Sequence, residues 1–462
     1  VSLYLLYLSK GVPLKYFSFA WKLVFGRVVL ESVDKVQASE KQNNSSLSSD
    51  VSPSTLIENK SEDTDNDSSA PLQGQISQFK ALTIAVGSTV GMGNIAGVAL
   101  ALERGGPGAI FWMWVAGLIG MNTKFFECTL ALMFRSKDAK GQTQGGPMYY
   151  IPKAYKSKKL GMIMTYIFVI GGLLGTSELY QASQLSMFMA TEFQIDPYVV
   201  GAFVFGFVFY ILWGGLTRLS NWTGALVPFM CWSYIMLSIY ILICNYDKIG
   251  GVLKLIVVSA FSPDSVVGGA TGYAVFHVFR QGIQRAAFSN EAGMGTAPMA
   301  HGNAITDEPL SEGFVAMLGP FIDTVIICTL SALVLIICTP LNEFGELKQI
   351  DWISSVYQQY FGEFGKYALL TIILMFSVTT IIGMASYNEK CWMYLFGKVK
   401  ILSSRTFFIL FFCTSLFIGC VKDGDFAVGI IDIGFGIMAY VNLITIALLS
   451  PLVIQRLKKL KI

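Results

Sequence analysis

Eleven residues, Gly87-Ser-Thr-Val-Gly-Met-Gly-Asn-Ile-Ala-Gly97, place four glycines, a serine, a threonine and an asparagine inside the apolar run Phe79 to Leu102. Glycine stabilises a helix least, so the helix is expected to open here. Peptide groups released at membrane depth persist only against protein or a watery cavity. Freed carbonyls and hydroxyls suit a hard cation, and N–H groups at the start of a half-helix attract a carboxylate. Secondary transporters use such half-helix ends to bind substrate and coupling ions near the midplane. Small residues also let two helices cross closely, and this stretch alone leaves both readings open.

A second stretch repeats the pattern. In Phe288-Ser-Asn-Glu-Ala-Gly-Met-Gly-Thr-Ala-Pro298 a polar triplet precedes two glycines and a proline, again poor material for an unbroken helix. The elements that must position both stretches are apolar runs at roughly 80–103, 110–134, 160–190, 197–216, 223–244, 269–299, 313–338, 367–388, 403–421 and 426–454. With a frayed first span before Lys10, they give about eleven crossings. The two interruptions are five crossings apart, so the second unit enters from the opposite face. Matching breaks in two five-span units point to an inverted repeat with its site at their interface. The expected fold is an all-α polytopic membrane protein of about eleven transmembrane helices, a 5+5 inverted repeat with helices broken at 87–97 and 288–298.

Composition agrees with that solvent: 53% of the 462 residues are hydrophobic and 14% charged, with a mean hydropathy of +0.57, as in a polytopic membrane protein. A net charge of +3 gives no sign of a nucleic-acid partner. The cysteines at 128, 231, 244, 328, 338, 391, 413 and 420 lack C-x-x-C spacing and read as small apolar core residues. His277 and His301 are too few for a metal cluster.

The chain opens on Val1, and residues 1–37 are expected to be the remnant of a first transmembrane helix followed by an amphipathic segment. Residues 38–76 are rich in Ser, Asn, Asp and Glu and read as a disordered acidic linker. Residues 77–245 and 246–455 form the two five-helix repeats, and 456–462 a basic cytoplasmic tail. Arg135, Lys137, Lys140, Lys153, Lys156, Lys158 and Lys159 in the 3–4 loop, and Arg456, Lys458, Lys459 and Lys461 in the tail, should be cytoplasmic. The loop Pro340–Phe364 is acidic on balance and suits the outside. The 7–8 loop, with Asp307, Glu308 and Glu312, should be inside yet lacks basic residues. The C-terminus and the 38–76 linker should then be cytoplasmic.

Several longer motifs now converge. Gly91-Met-Gly-Asn-Ile-Ala-Gly-Val98, Gly105-Gly-Pro-Gly-Ala-Ile-Phe-Trp-Met-Trp114, Thr123-Lys-Phe-Phe-Glu-Cys128, Gly145-Gly-Pro-Met-Tyr-Tyr150 and the stretch from Phe288 to Gly295 closely resemble the alanine or glycine:cation symporter family. Leu226-Val-Pro-Phe229, Phe321-Ile-Asp-Thr324, Glu389-Lys-Cys391 and Tyr394-Leu-Phe-Gly397 extend the likeness over nearly everything after Gln75. The resemblance implies the LeuT-type fold and uptake of a small neutral amino acid, alanine or glycine, across the plasma (inner) membrane, coupled to Na⁺ or H⁺ and without an organic cofactor.

Within that resemblance, the carbonyls of Gly87 and Val90 are cation ligands, with the adjacent hydroxyls of Thr379 and Thr380 facing the broken helix. The backbone of Gly91, Met92 and Gly93 receives the substrate carboxylate, glycine permitting the close approach. Asn94, with Thr89, lines a second ion position. Gln181 matches a glutamine placed beside the substrate, and interhelical hydrogen bonding is an alternative role for it. Ser289 and Asn290 are further pocket groups. Glu127, Arg285 and Glu291 read as gates or structural ties, and Lys124 and Glu127 share one helical face. Departures fall on the same pocket: Met92 stands in Gly-Met-Gly-Asn, Met384 replaces an aromatic lid, and Ser177-Glu-Leu-Tyr-Gln-Ala-Ser183 places Glu178 near the site. A transporter-derived amino acid sensor, or an inactive homologue without flux, is the competing function. An intramembrane enzyme finds no G-x-S-x-G or H-E-x-x-H motif, and the acids Asp323 and Asp432 have no partner by motif.

Overall fold

The computed structural model describes residues 1–28, 30, 74–137, 141, 143–261, 271–340, 349–397, 399, 402, 404–422 and 424–460. The expected linker lies outside them as far as residue 73. Seven helical stretches are long and apolar enough to cross a bilayer: Gln78–Gly105, Gly108–Met133, Lys158–Phe193, Asn221–Cys244, Pro309–Cys338, Gln349–Phe396 and Gly424–Lys459. Pro197–Trp213 and Arg405–Val421 are shorter apolar helices, and Thr271–Asn290 with Ala297–His301 fills the seventh expected place. Short helices Ser2–Ser9, Val12–Lys15 and Phe17–Val24 stand at the start. Strand pairing among the described residues is confined to Ser136–Lys137 against Thr143–Gln144 and a bridge between Ile76 and Ala304.

The rod that the others enclose is Gln78–Gly105. Its apolar window is 100% buried, against 33% for Asn221–Cys244 on the lipid-facing side. Ser77 caps its start, its side chain accepting from the Lys80 N–H at 3.3 Å, which supplies one of the donors a helix start leaves unmatched. The helix stops after Thr89 and restarts at Met92. Non-helical backbone is confined to Val90 (φ −76°, ψ 94°) and Gly91 (φ −145°, ψ −153°), a narrower opening than the whole of 87–97. The flanking residues keep helical geometry because each freed group between them finds a side chain, as described below.

The second break spans Glu291 to Thr296, between Thr271–Asn290 and Ala297–His301. Gly293 (φ 88°) and Gly295 (φ 82°) take conformations that only glycine adopts freely. Asn290 Oδ1 accepts from the Ala292 N–H at 3.0 Å. From the last span, Asn442 Nδ2 donates to Gly293 O at 2.8 Å and to Glu127 Oε2 at 3.0 Å. Glu127 thus takes Asn442 as its hydrogen-bond partner. Left unmatched at this depth, each such group costs roughly 1–3 kcal/mol.

Two further interruptions carry less obvious sequence marks. The fourth span, continuous by hydropathy, opens between Gly175 and Leu179, where Glu178 adopts a left-handed backbone (φ 58°, ψ 23°). Asn388, from the ninth span, donates to Leu173 O and to Thr176 Oγ1, both at 3.0 Å. In the eighth span, Phe321–Ile327 forms a π-helix, a rare geometry found mostly at functional sites.

The stretch expected to be an acidic loop, 340–364, is helical from Gln349 and bends at Gly362 (φ 57°, ψ −141°) into the ninth span. Ile350, Ile353, Val356 and Tyr357 recur at helical spacing and are all buried, so this segment docks an apolar face. The misfit of the 7–8 connection also resolves. Glu308 is held by both forks of Arg456 from the basic tail, at 2.8 and 3.0 Å. Glu312 pairs with His301 at 2.6 Å and accepts from Gln78 at 2.9 Å. Its basic partners therefore arrive from elsewhere in the chain, on the face that also carries Arg135, whose Nε donates to Gly302 O at 3.0 Å.

Candidate functional site

The first break presents freed carbonyls at one end and freed N–H groups at the other. On the carbonyl side, Thr380 Oγ1 of the ninth span lies 3.2 Å from Gly87 O and 3.3 Å from Val90 O. Three oxygens from two spans thereby converge, the donor set a hard cation requires. Thr379 turns the other way, its hydroxyl donating to Met375 O at 2.8 Å and reaching Met230 Sδ at 3.2 Å. On the N–H side, Gly91 N–H donates to Asn94 Oδ1 and Met92 N–H to Gln181 Oε1, each at 3.0 Å. Both acceptors are neutral oxygens on side chains able to rotate, sitting where a substrate carboxylate would take the same donors.

Close approach is enforced at Gly91. A Cβ there would overlap Thr380 Oγ1 and come within 2.9 Å of Gln181 Nε2. At Gly93 it would lie 3.2 Å from the Phe288 ring. These contacts, rather than a positive φ, are what the two glycines are for.

A small cavity adjoins this break. Of the residues expected to bind substrate or ion, Gly93, Gln181, Met384 and Thr380 line it. Gly87, Val90, Gly91 and Met92 contribute backbone beside it. Asn94 and Ser289 instead turn to Asp323 in the π-helix: both side chains hydrogen-bond Asp323 Oδ1, and Asn94 Nδ2 reaches Ser289 Oγ at 3.1 Å. Asp323 is buried, and its Oδ2 has no hydrogen-bond partner. Asn290 Nδ2 donates to Thr324 Oγ1 at 3.0 Å, away from the cavity.

Among the other lining residues, Tyr180, Phe435 and Ile431 carried no distinguishing signal in an apolar sequence. Tyr180, Phe288 and Phe435 close one side, with ring centroids 5.4 Å (Tyr180 to Phe288) and 5.8 Å (Phe288 to Phe435) apart. Arg285 stacks on Phe288 at 5.1 Å and pairs with Asp432 at 3.1 Å, so that the aromatic cover is itself tied to the last span. Ser88, Thr89 and Ile431 complete the wall, with Glu178 and Glu291 as its charged members.

A family model described as the sodium:alanine symporter family matches residues 54–461. The sodium/alanine symporter AgcS of Methanococcus maripaludis is 36% identical over 391 residues, 84% of each chain. The probable sodium/glutamine symporter GlnT of Bacillus subtilis is 32% identical over 387 residues, 84% of this chain and 79% of that one. Among solved structures, MhsT in complex with L-phenylalanine superposes with a TM-score of 0.58 over 82% of this chain and 89% of that chain, at 13% identity. That last likeness is one of fold.

Proposed function

The chain belongs to the sodium:alanine symporter family, a family of multi-pass membrane transporters, and from that premise we propose that it takes up a small neutral amino acid, alanine or glycine, together with Na⁺ by alternating access. The observation that carries the proposal is that Gly87 O and Val90 O lie 3.2 and 3.3 Å from Thr380 Oγ1 on the carbonyl side of the first break. The donors on its other side suit the substrate carboxylate.

In this reading Na⁺ bridges the first and ninth spans and fixes the backbone at Val90–Gly91. The carboxylate then displaces the side-chain oxygens of Gln181 and Asn94 from the Met92 and Gly91 N–H groups. Each ligand completes a surface that the other uses, so each raises the other's affinity. Asp323, with one oxygen unpartnered beside Asn94 and Ser289, is the candidate for a second cation position. Phe288, tied through Arg285 to Asp432, closes the cavity from one face. The pairs Glu308–Arg456 and Glu312–His301 close the opposite, cytoplasmic face of the plasma membrane.

Uptake of labelled alanine and glycine into proteoliposomes, with and without an inward Na⁺ gradient, tests the proposal. Accumulation that depends on the gradient is expected. Ligand binding without flux would instead favour a sensor.

A further inference from the structure

The cavity has an acidic end that the carboxylate seat does not explain. Glu178 and Glu291 both line it, and no lysine or arginine does. Glu178 is only 4% exposed, its Oε2 has no hydrogen-bond partner, and its backbone sits in the left-handed region at the opening of the fourth span. Holding a non-glycine residue there costs roughly 1–3 kcal/mol and persists only where the surroundings enforce it. Here Asn388 donates to Leu173 O and to Thr176 Oγ1 beside the opening, and Glu178 lines the cavity.

Glu178 Oε2 is met by no described group. Arg285 gives its Nη2 to Asp432 and its Nη1 to no described group, and the Gln181 amide oxygen is used on Met92. A buried carboxylate without a countercharge is costly, and a positive group brought into the cavity would lower that cost.

We propose that Glu178 is a specificity-determining residue that receives a protonated primary amine of the substrate whose carboxylate sits at Gly91–Gly93. The assignment rests on the amino acid reading given above. The amine is either the α-ammonium of a neutral amino acid or the side-chain ammonium of a small diamino acid; the chemistry at Glu178 is the same.

Calorimetric binding of L-alanine, L-lactate and L-2,3-diaminopropionate to the purified full chain in Na⁺ buffer, wild type and Glu178→Gln, tests it. Lactate keeps the carboxylate and replaces the amine with a hydroxyl. The wild type should bind alanine at least about tenfold more tightly than lactate, the scale of a hydrogen bond to a charged group. Glu178→Gln should remove most of that preference. Loss confined to diaminopropionate assigns Glu178 to the side-chain ammonium, and loss for alanine assigns it to the α-ammonium; either supports the proposal. Equal weakening of all three ligands, or a variant indistinguishable from wild type, overturns it. Should the variant not fold, equal wild-type affinities for alanine, lactate and diaminopropionate overturn it as well. A wild type that binds none of the three contradicts the amino acid reading itself, and this assignment with it.

Discussion

At the scale of single residues, the site depends on what glycine lacks and what threonine carries. Gly91 is needed for the space that Thr380 and Gln181 occupy around it. Gly91→Ala must push one of them aside, an overpacking of roughly 1–3 kcal/mol. Alanine uptake by the reconstituted variant, normalised to inserted protein, should fall about tenfold or more; uptake at the wild-type rate would refute the close approach. The sequence made these glycines visible because glycine inside an apolar run is conspicuous. It did not separate Thr379 from Thr380. Adjacent helical residues differ by 100° in direction, and only the packed structure decides which hydroxyl meets Gly87 and Val90 and which bonds back to its own helix.

At the scale of elements, both glycine-rich interruptions were legible, whereas the opening at Thr176–Glu178 was not. Gly171, Gly172 and Gly175 precede it, but in a membrane span such residues also serve helix packing. What fixes the opening is Asn388, more than 200 positions away by sequence separation. Replacing it by alanine strands Leu173 O and removes a donor from Thr176 Oγ1, which keeps its bond to Gly172 O, and should destabilise the protein by roughly 1–3 kcal/mol. Thermal unfolding in detergent reads this as a lower melting temperature. An unchanged melting temperature would mean that the opening is held by other contacts. The helix from Gln349 was missed for a related reason: its charges were read for topology, while the spacing of Ile350, Ile353, Val356 and Tyr357 recorded a buried face.

At the scale of the whole molecule, polar side chains from distant spans close both breaks: Thr380 meets the first, and Asn442 meets the second while also reaching Glu127. Hydropathy located the spans because lipid selects apolar residues over a full bilayer thickness. It was silent on the partners of Glu308, Glu312, Asp323 and Asp432, which come from distant spans and leave no local pattern. The central claim is that Na⁺ and substrate assemble one site around the first break. Its most direct test is calorimetric titration of alanine into purified protein in Na⁺ and in K⁺ buffer, for the wild type and for Thr380→Val. Na⁺ should tighten alanine binding in the wild type by about 5- to 150-fold, the usual range of coupling between sites, and the gain should vanish in Thr380→Val. Equal affinity in both buffers for the wild type would contradict the account.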